Sequence, residues 1–101
     1  MNVLWEILVP ASNPTEKFSY AHHKEWDAFV RQFSNGITIL RGAKGEWISP
    51  NGTVFKDRMI PVRIICTEEN IRKIIRFTIE HYKQEAVLAY MLSDTIILEH
   101  K

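Results

Sequence analysis

The middle of the chain reads ITILRGAKGEWI (residues 37–48), SPNG (49–52) and TVFKDRMIPVRIIC (53–66). The first and third segments are rich in β-branched and aromatic residues, which favour strands. Asn51-Gly52 between them tolerates the positive φ angles of a tight hairpin turn. The stretch therefore predicts a long β-hairpin. Two glycines predict a bulge near Gly42–Gly45 in its first strand.

Two further segments, residues 20–33 and 68–82, show the apolar spacing of amphipathic helices. Ser19 and Thr67 stand where each helix begins and are good N-caps. We expect each helix to bury one stripe against the sheet. The stripes are Trp26, Phe29, Val30 and Phe33 in the first helix, and Ile71, Ile74, Ile75, Thr78, Ile79 and Tyr82 in the second.

Short apolar runs at residues 3–9 and 86–92 predict a strand before the first helix and another after the second. Residues 95–99 predict an additional short strand at the C-terminus. The order β-α-β-β-α-β is that of the ferredoxin-like α+β sandwich, an antiparallel sheet with two helices on one face. Because the chain has 101 residues, we expect residues 1–101 to form one domain.

Composition excludes several function classes. Thirteen Lys and Arg oppose twelve Asp and Glu, so net charge gives no reason to expect a nucleic-acid partner or an anionic membrane. The aromatic-rich strand signature of RNA-binding sheets is also missing. Cys66 is the one cysteine, which rules out an internal disulfide, and we predict a small buried side chain there. The sequence has no export-signal pattern and no membrane-length apolar run, so we expect a cytoplasmic protein.

The strand pattern predicts an open sheet face of mixed character. Glu6 on the first strand and Arg63 on the returning strand point away from the helices in this topology and should pair there. Their neighbours on that face, Met59 among them, are apolar, and this mixture is poorly suited to water. We expect a second copy of the chain to cover it in a two-fold dimer. One alternative is a partly exposed sheet with one weak surface ion pair. Another is a ligand bound between the sheet and a partner chain.

Two other features admit a functional interpretation. His22 and His23 are adjacent, and adjacent helix residues point about 100° apart, so they rarely bind one metal ion. We therefore predict solvated helix-end histidines and neither a metal site nor a cofactor, with a general base as the alternative. Trp47 either packs against Phe55 across the hairpin or serves as a stacking platform or an interface anchor.

Several short segments follow one another in a distinctive order: Glu25-Trp26 and Phe29, Asn35 to Leu40, Gly45-Glu46-Trp47, Pro50-Asn51-Gly52, and Gln84 to Leu88. In these segments the sequence resembles a family of small bacterial proteins that share a domain of unknown function. The resemblance implies the ferredoxin-like fold and no reaction, so it transfers no catalytic residue. Members often carry export signals, so location is not carried over.

These observations favour a dimeric binding or interaction module. The alternative is a small-molecule enzyme of the dimeric α+β barrel type, such as an isomerase or a cofactor-free monooxygenase, with a ligand pocket beside the sheet. The sequence leaves open whether the chain is an enzyme, because fold analogy is a weak warrant for function. By that analogy the residues to examine are His22, Trp26, Trp47, Arg63 and Tyr90.

Overall fold

The computed structural model describes residues 1–13 and 15–101. Five antiparallel strands form one sheet, and two helices pack on one of its faces, so the predicted α+β class is confirmed. The elements are β1 (Val3–Pro10), α1 (Tyr20–Arg31), β2 (Gly36–Ile39), β3 (Ala43–Ile48), β4 (Val54–Cys66), α2 (Glu68–His81) and β5 (Ala89–Ser93).

The thirteen-residue strand β4 organises the sheet. Its C-terminal half lies between β1 and β2, while its N-terminal half pairs with β3 and extends as a hairpin arm. Strand β5 pairs with the other edge of β1, which gives the order β2-β4-β1-β5. In this register Glu6 lies directly opposite both Arg63 and Tyr90.

The predicted first strand of the hairpin is two strands. The interruption lies at residues 40–42 and overlaps the predicted position at Gly42, whereas Gly45 is an ordinary β3 residue opposite Asp57. Pro61 explains how β4 runs past the interruption. Pro61 lacks an N–H, but its carbonyl accepts a hydrogen bond from the Leu40 amide at 2.9 Å. This bond holds residues 40–42 beside β4 where the β2–β3 strand is interrupted.

The C-terminal part of the chain differs most from expectation. Strand β5 starts at Ala89 and not at residue 86. Residues 95–99 form no strand in this chain, so the additional C-terminal strand was wrong as an element of the chain's own sheet. The reason is geometric. The chain bends after β5, where the Ser93 hydroxyl accepts from the Thr95 amide at 3.0 Å, and residues 95–99 pair with neither of the edge strands β2 and β5.

Both helices begin where capping chemistry predicts. The side chains of Ser19 and Thr67 accept hydrogen bonds from the amides of His22 and Asn70, at 3.1 and 3.2 Å. Helix α1 ends at Arg31, two residues before the predicted end. No helix in the described part of the chain is long and apolar enough to cross a membrane.

The core lies between the helices and the covered face of the sheet. Trp26 is its largest side chain, and its indole N–H donates to the Thr78 hydroxyl at 2.8 Å. Cys66 is buried, as predicted. Of the second predicted stripe, Ile75 and Ile79 are only half-buried. The buried cluster consists of Ile7, Val9, Trp26, Val30, Val62, Ile64, Cys66, Ile71, Ile74 and Tyr82.

Candidate functional site

The fold distributes the predicted site residues over four places. Glu6, Arg63 and Tyr90 meet on the open face of the sheet. Trp47 and Met59 border a cleft on the same side. Trp26 lies in the core. His22 packs on the helix-covered side against α2, so the residues singled out by analogy with small enzymes do not share one pocket.

The open-face cluster joins three side chains. Arg63 Nε lies 3.2 Å from Glu6 Oε1, which confirms the predicted ion pair. The Tyr90 hydroxyl donates to the other Glu6 oxygen, a contact that the strand pattern did not reveal. This hydrogen bond to the carboxylate is the main reason why the pKa of Tyr90 is raised. The Glu6 side chain is 12% exposed and that of Arg63 47%, so the pair is partly shielded from water.

Apolar side chains surround this cluster. Leu4, Leu8 and Ile65 alternate with Glu6 and Arg63 along β1 and β4, so they share the open face. Each is half-buried, although none of the described helices packs there. Met59 is the exception, because it is 7% exposed and lies against Gly45 of the hairpin arm. It therefore belongs to the chain's own packing more than to an exposed surface.

A cleft of about 280 Å³ opens at the hairpin end of the open face. Leu8, Trp47 and Met59 supply apolar walls, and Asp57 and Arg58 supply charge. Trp47 lies directly opposite Phe55 in the register, and its side chain is 40% exposed and borders this cleft. The cleft thus combines an aromatic ring with one acidic and one basic group.

A third cluster lies on the helix side, where α1 begins and α2 ends. The rings of His22 and His81 stack with centroids 3.8 Å apart and an interplanar angle of 11°. His23 points elsewhere and its Nδ1 lies 2.6 Å from the Tyr82 hydroxyl, so the predicted divergence of the adjacent histidines is confirmed. Sequence reasoning missed His81 as a partner because 59 residues separate it from His22.

Electrostatics in this cluster follow from burial. Desolvation lowers the pKa of His23, and the neighbouring His22 lowers it further, while Asp27 acts in the opposite direction. Burial raises the pKa of the Tyr82 hydroxyl well above its ordinary value. The His23–Tyr82 contact is therefore between neutral groups near neutral pH.

The fold has known counterparts among solved structures. The chain is similar to the divalent cation tolerance protein CutA1 of Thermus thermophilus, with a TM-score of 0.67, 16% identity and coverage of 100% of this chain and 88% of that one. It is also similar to the periplasmic divalent cation tolerance protein CutA of Archaeoglobus fulgidus. Here the TM-score is 0.70 and the identity 9%, and the match covers 98% of this chain and 89% of that one. For CutA1 of Oryza sativa the TM-score is 0.68 and the identity 11%, and the match covers 96% of this chain and 83% of that one.

These likenesses establish the fold alone, because identities of 9–16% carry no information on individual site residues. No protein-family model matches the sequence, and neither does any curated protein. The ferredoxin-like fold that the resemblance to small bacterial proteins implied is therefore supported by these structures. The Gly-x-Trp pattern on which that resemblance rested is not confirmed by any of the comparisons.

Proposed function

We propose that the chain is a self-associating interaction module in which further copies cover the open face of the sheet. The observation that carries this proposal is the Glu6–Arg63–Tyr90 cluster set among half-buried Leu4, Leu8 and Ile65, with none of the described elements packed over it. A face of this composition is stabilised when a partner completes its burial.

The C-terminal tail supports the same proposal. Ile97 and Leu98 are 81% and 73% exposed, although their segment has the composition of a strand. Ile48 and Phe55 on the hairpin arm are also exposed, at 76% and 54%. An unpaired strand-forming segment and an exposed strand edge are complementary surfaces for strand addition. We propose that residues 95–99 pair with another copy of the chain and not within their own sheet.

The solution mass tests this proposal by size-exclusion chromatography with light scattering. A mass near twice the 11.8 kDa of one chain supports the two-fold dimer that the sequence favours. Three or more copies support self-association and contradict the two-fold form. A monomer at cellular concentrations contradicts both.

Charged substitutions locate the interface. Thr38 lies opposite Arg63 on the open face and is exposed, so Thr38→Glu changes that face without disturbing the core. Leu98→Asp does the same for the tail. Both variants should reduce the mass toward one chain. The matched control is Tyr20→Asp, because Tyr20 is 75% exposed on α1 and lies away from both surfaces. Met59→Glu is unsuitable, since Met59 is buried within the chain itself.

The cleft beside Trp47 favours a second candidate function, the binding of a small molecule that has an apolar body and a polar group. Its volume of about 280 Å³ is close to the lower end of the range of ligand pockets, about 300 Å³. Native mass spectrometry of the purified chain tests for a retained ligand. Retention by the wild type and loss in Trp47→Ala support the candidate, whereas equal spectra for the two proteins contradict it.

A cytoplasmic location remains our proposal for this protein. The buried free thiol of Cys66 favours it, because unpaired cysteines are typical of reducing compartments. Fractionation of cells that express the tagged chain checks the location, and recovery in an exported fraction would contradict it.

A further inference from the structure

The stacked histidines are held by two reciprocal hydrogen bonds. His22 Nε2 lies 2.7 Å from the backbone carbonyl oxygen of His81, and His81 Nε2 lies 2.7 Å from the carbonyl oxygen of His22. A carbonyl oxygen only accepts, so both Nε2 atoms carry the hydrogen. In the neutral rings the lone pair is therefore on Nδ1. Metal-binding histidines commonly have this arrangement, with one nitrogen donating to a backbone carbonyl and the other free for the ion.

Glu25 supplies a third donor to the same place. It follows His22 by three residues, so both side chains lie on one face of α1. Glu25 Oε2 is 3.9 Å from His81 Nε2, the nitrogen that carries the hydrogen, and one potential ligand atom from each of the three residues lies within 4.8 Å of the others. The Glu25 side chain is 70% exposed and that of His81 only 10%. The cluster thus combines two half-buried imidazoles with an exposed carboxylate.

We propose that His22, His81 and Glu25 bind one divalent transition-metal ion of the class that prefers imidazole ligands, such as Zn²⁺. Two histidines and one carboxylate are an established donor set for zinc, with a fourth position left for water. Magnesium and calcium are disfavoured because they take oxygen ligands. The cluster lies on the helix side of the sheet, so the proposal does not depend on self-association.

Binding requires a defined rearrangement. Parallel rings direct their in-plane lone pairs side by side and not toward a common point, so one imidazole turns out of the stack when the ion binds. Glu25 lies beside His81 Nε2, so the His81 ring must turn to direct its Nδ1 lone pair to an ion that Glu25 also binds. The ligand atoms then reach the separation of about 3.4 Å found around a tetrahedral zinc ion. The exposed Glu25 can supply much of this movement. His23 is engaged by Tyr82 and does not take part.

Calorimetric titration of the metal-free chain with ZnCl₂ tests the proposal. We expect saturable binding of one Zn²⁺ per chain and no binding of MgCl₂. His22→Gln, His81→Gln and Glu25→Gln should each weaken the affinity by at least about tenfold. The matched control is His100→Gln, because His100 is an exposed imidazole in the tail. Its substitution should leave the affinity unchanged.

Nuclear magnetic resonance of the wild-type chain gives a second readout that needs no variant. The ring proton signals of His22 and His81 should shift or broaden with ZnCl₂, and those of His100 should not. If His81→Gln fails to fold, Glu25→Gln decides the matter, because its side chain is exposed and its loss leaves the packing intact. Absence of saturable binding, unchanged affinity in the folded cluster variants, or loss of binding in His100→Gln would each overturn the proposal.

Discussion

Trp26 on α1 donates its indole N–H to the hydroxyl of Thr78 on α2 across 2.8 Å, and both residues are buried. The Thr78 hydroxyl in turn donates to the Ile74 carbonyl at 2.6 Å. This hydroxyl therefore satisfies the one polar atom of the largest core side chain. It also ties the two helices together at the level where both pack on the sheet.

Thr78→Val should destabilise the protein by about 1–3 kcal/mol, because it leaves the Trp26 N–H buried without an acceptor. The measurement is the free energy of unfolding from chemical denaturation. The double variant Trp26→Phe/Thr78→Val removes both the donor and the acceptor. Its loss of unfolding free energy should be smaller than the sum of the losses in the two single variants. A change in Thr78→Val within about 0.5 kcal/mol, the range of ordinary surface substitutions, would contradict the assigned role.

Protein stability should fall below pH 6.5 because of His23. Burial and the nearby His22 lower the pKa of His23 from its ordinary 6.5 in the folded chain. Between the folded and unfolded pKa values the unfolded state binds more protons, so acid favours unfolding. The contribution is fully present above pH 6.5 and is lost as the pH falls through the folded pKa.

Thermal unfolding of the wild type and of His23→Gln over this pH range checks the prediction. The groups that act on His23 are His22, Asp27 and His81, and all three remain in the variant. The wild type should lose more stability than the variant as the pH falls from 7 to 5, a window around the ordinary histidine pKa of about 6.5. Parallel curves would show that His23 is not the group responsible.

Cys66 should be inert in the folded protein. Burial raises the pKa of its thiol to about 11, and its side chain is 1% exposed. The reactive thiolate is therefore scarce and inaccessible near neutral pH. Labelling with a thiol-specific reagent at pH 8 should proceed at the rate of unfolding, and denaturant should make it rapid. Fast labelling of the native chain at low denaturant would contradict this assignment.

Lys83 should be replaceable by glycine with a gain in stability. It follows the end of α2 with a φ of 56°, a left-handed conformation that glycine adopts without strain. Relief of about 1–2 kcal/mol of backbone strain exceeds the entropic cost of glycine, which is about 0.5–1 kcal/mol. The unfolding midpoint of Lys83→Gly should rise. The control is Lys73→Gly within α2, which should lower it, as glycine does in any helix interior.

Local sequence determined the elements of this protein. Three local signals could be recognised from the sequence alone, because each acts over only a few residues. They are the capping by Ser19 and Thr67, the apolar periods of the two helices and the Asn51-Gly52 turn. The alternation along β1 and β4 was sufficient to place Glu6 and Arg63 on the same face of neighbouring strands, because successive strand residues point to opposite faces.

Only the tertiary structure decided which distant side chains meet. Tyr90 reaches Glu6, and His81 stacks on His22, across separations of 84 and 59 residues. No local pattern encodes such contacts. They depend on the pairing of β5 with β1 and on how α1 and α2 pack against each other on the sheet. The same reason explains residues 95–99, whose composition favours a strand. A segment forms a strand only when the path of the chain brings it alongside a strand edge, and the bend at Ser93–Thr95 leaves residues 95–99 unpaired with the edge strands β2 and β5.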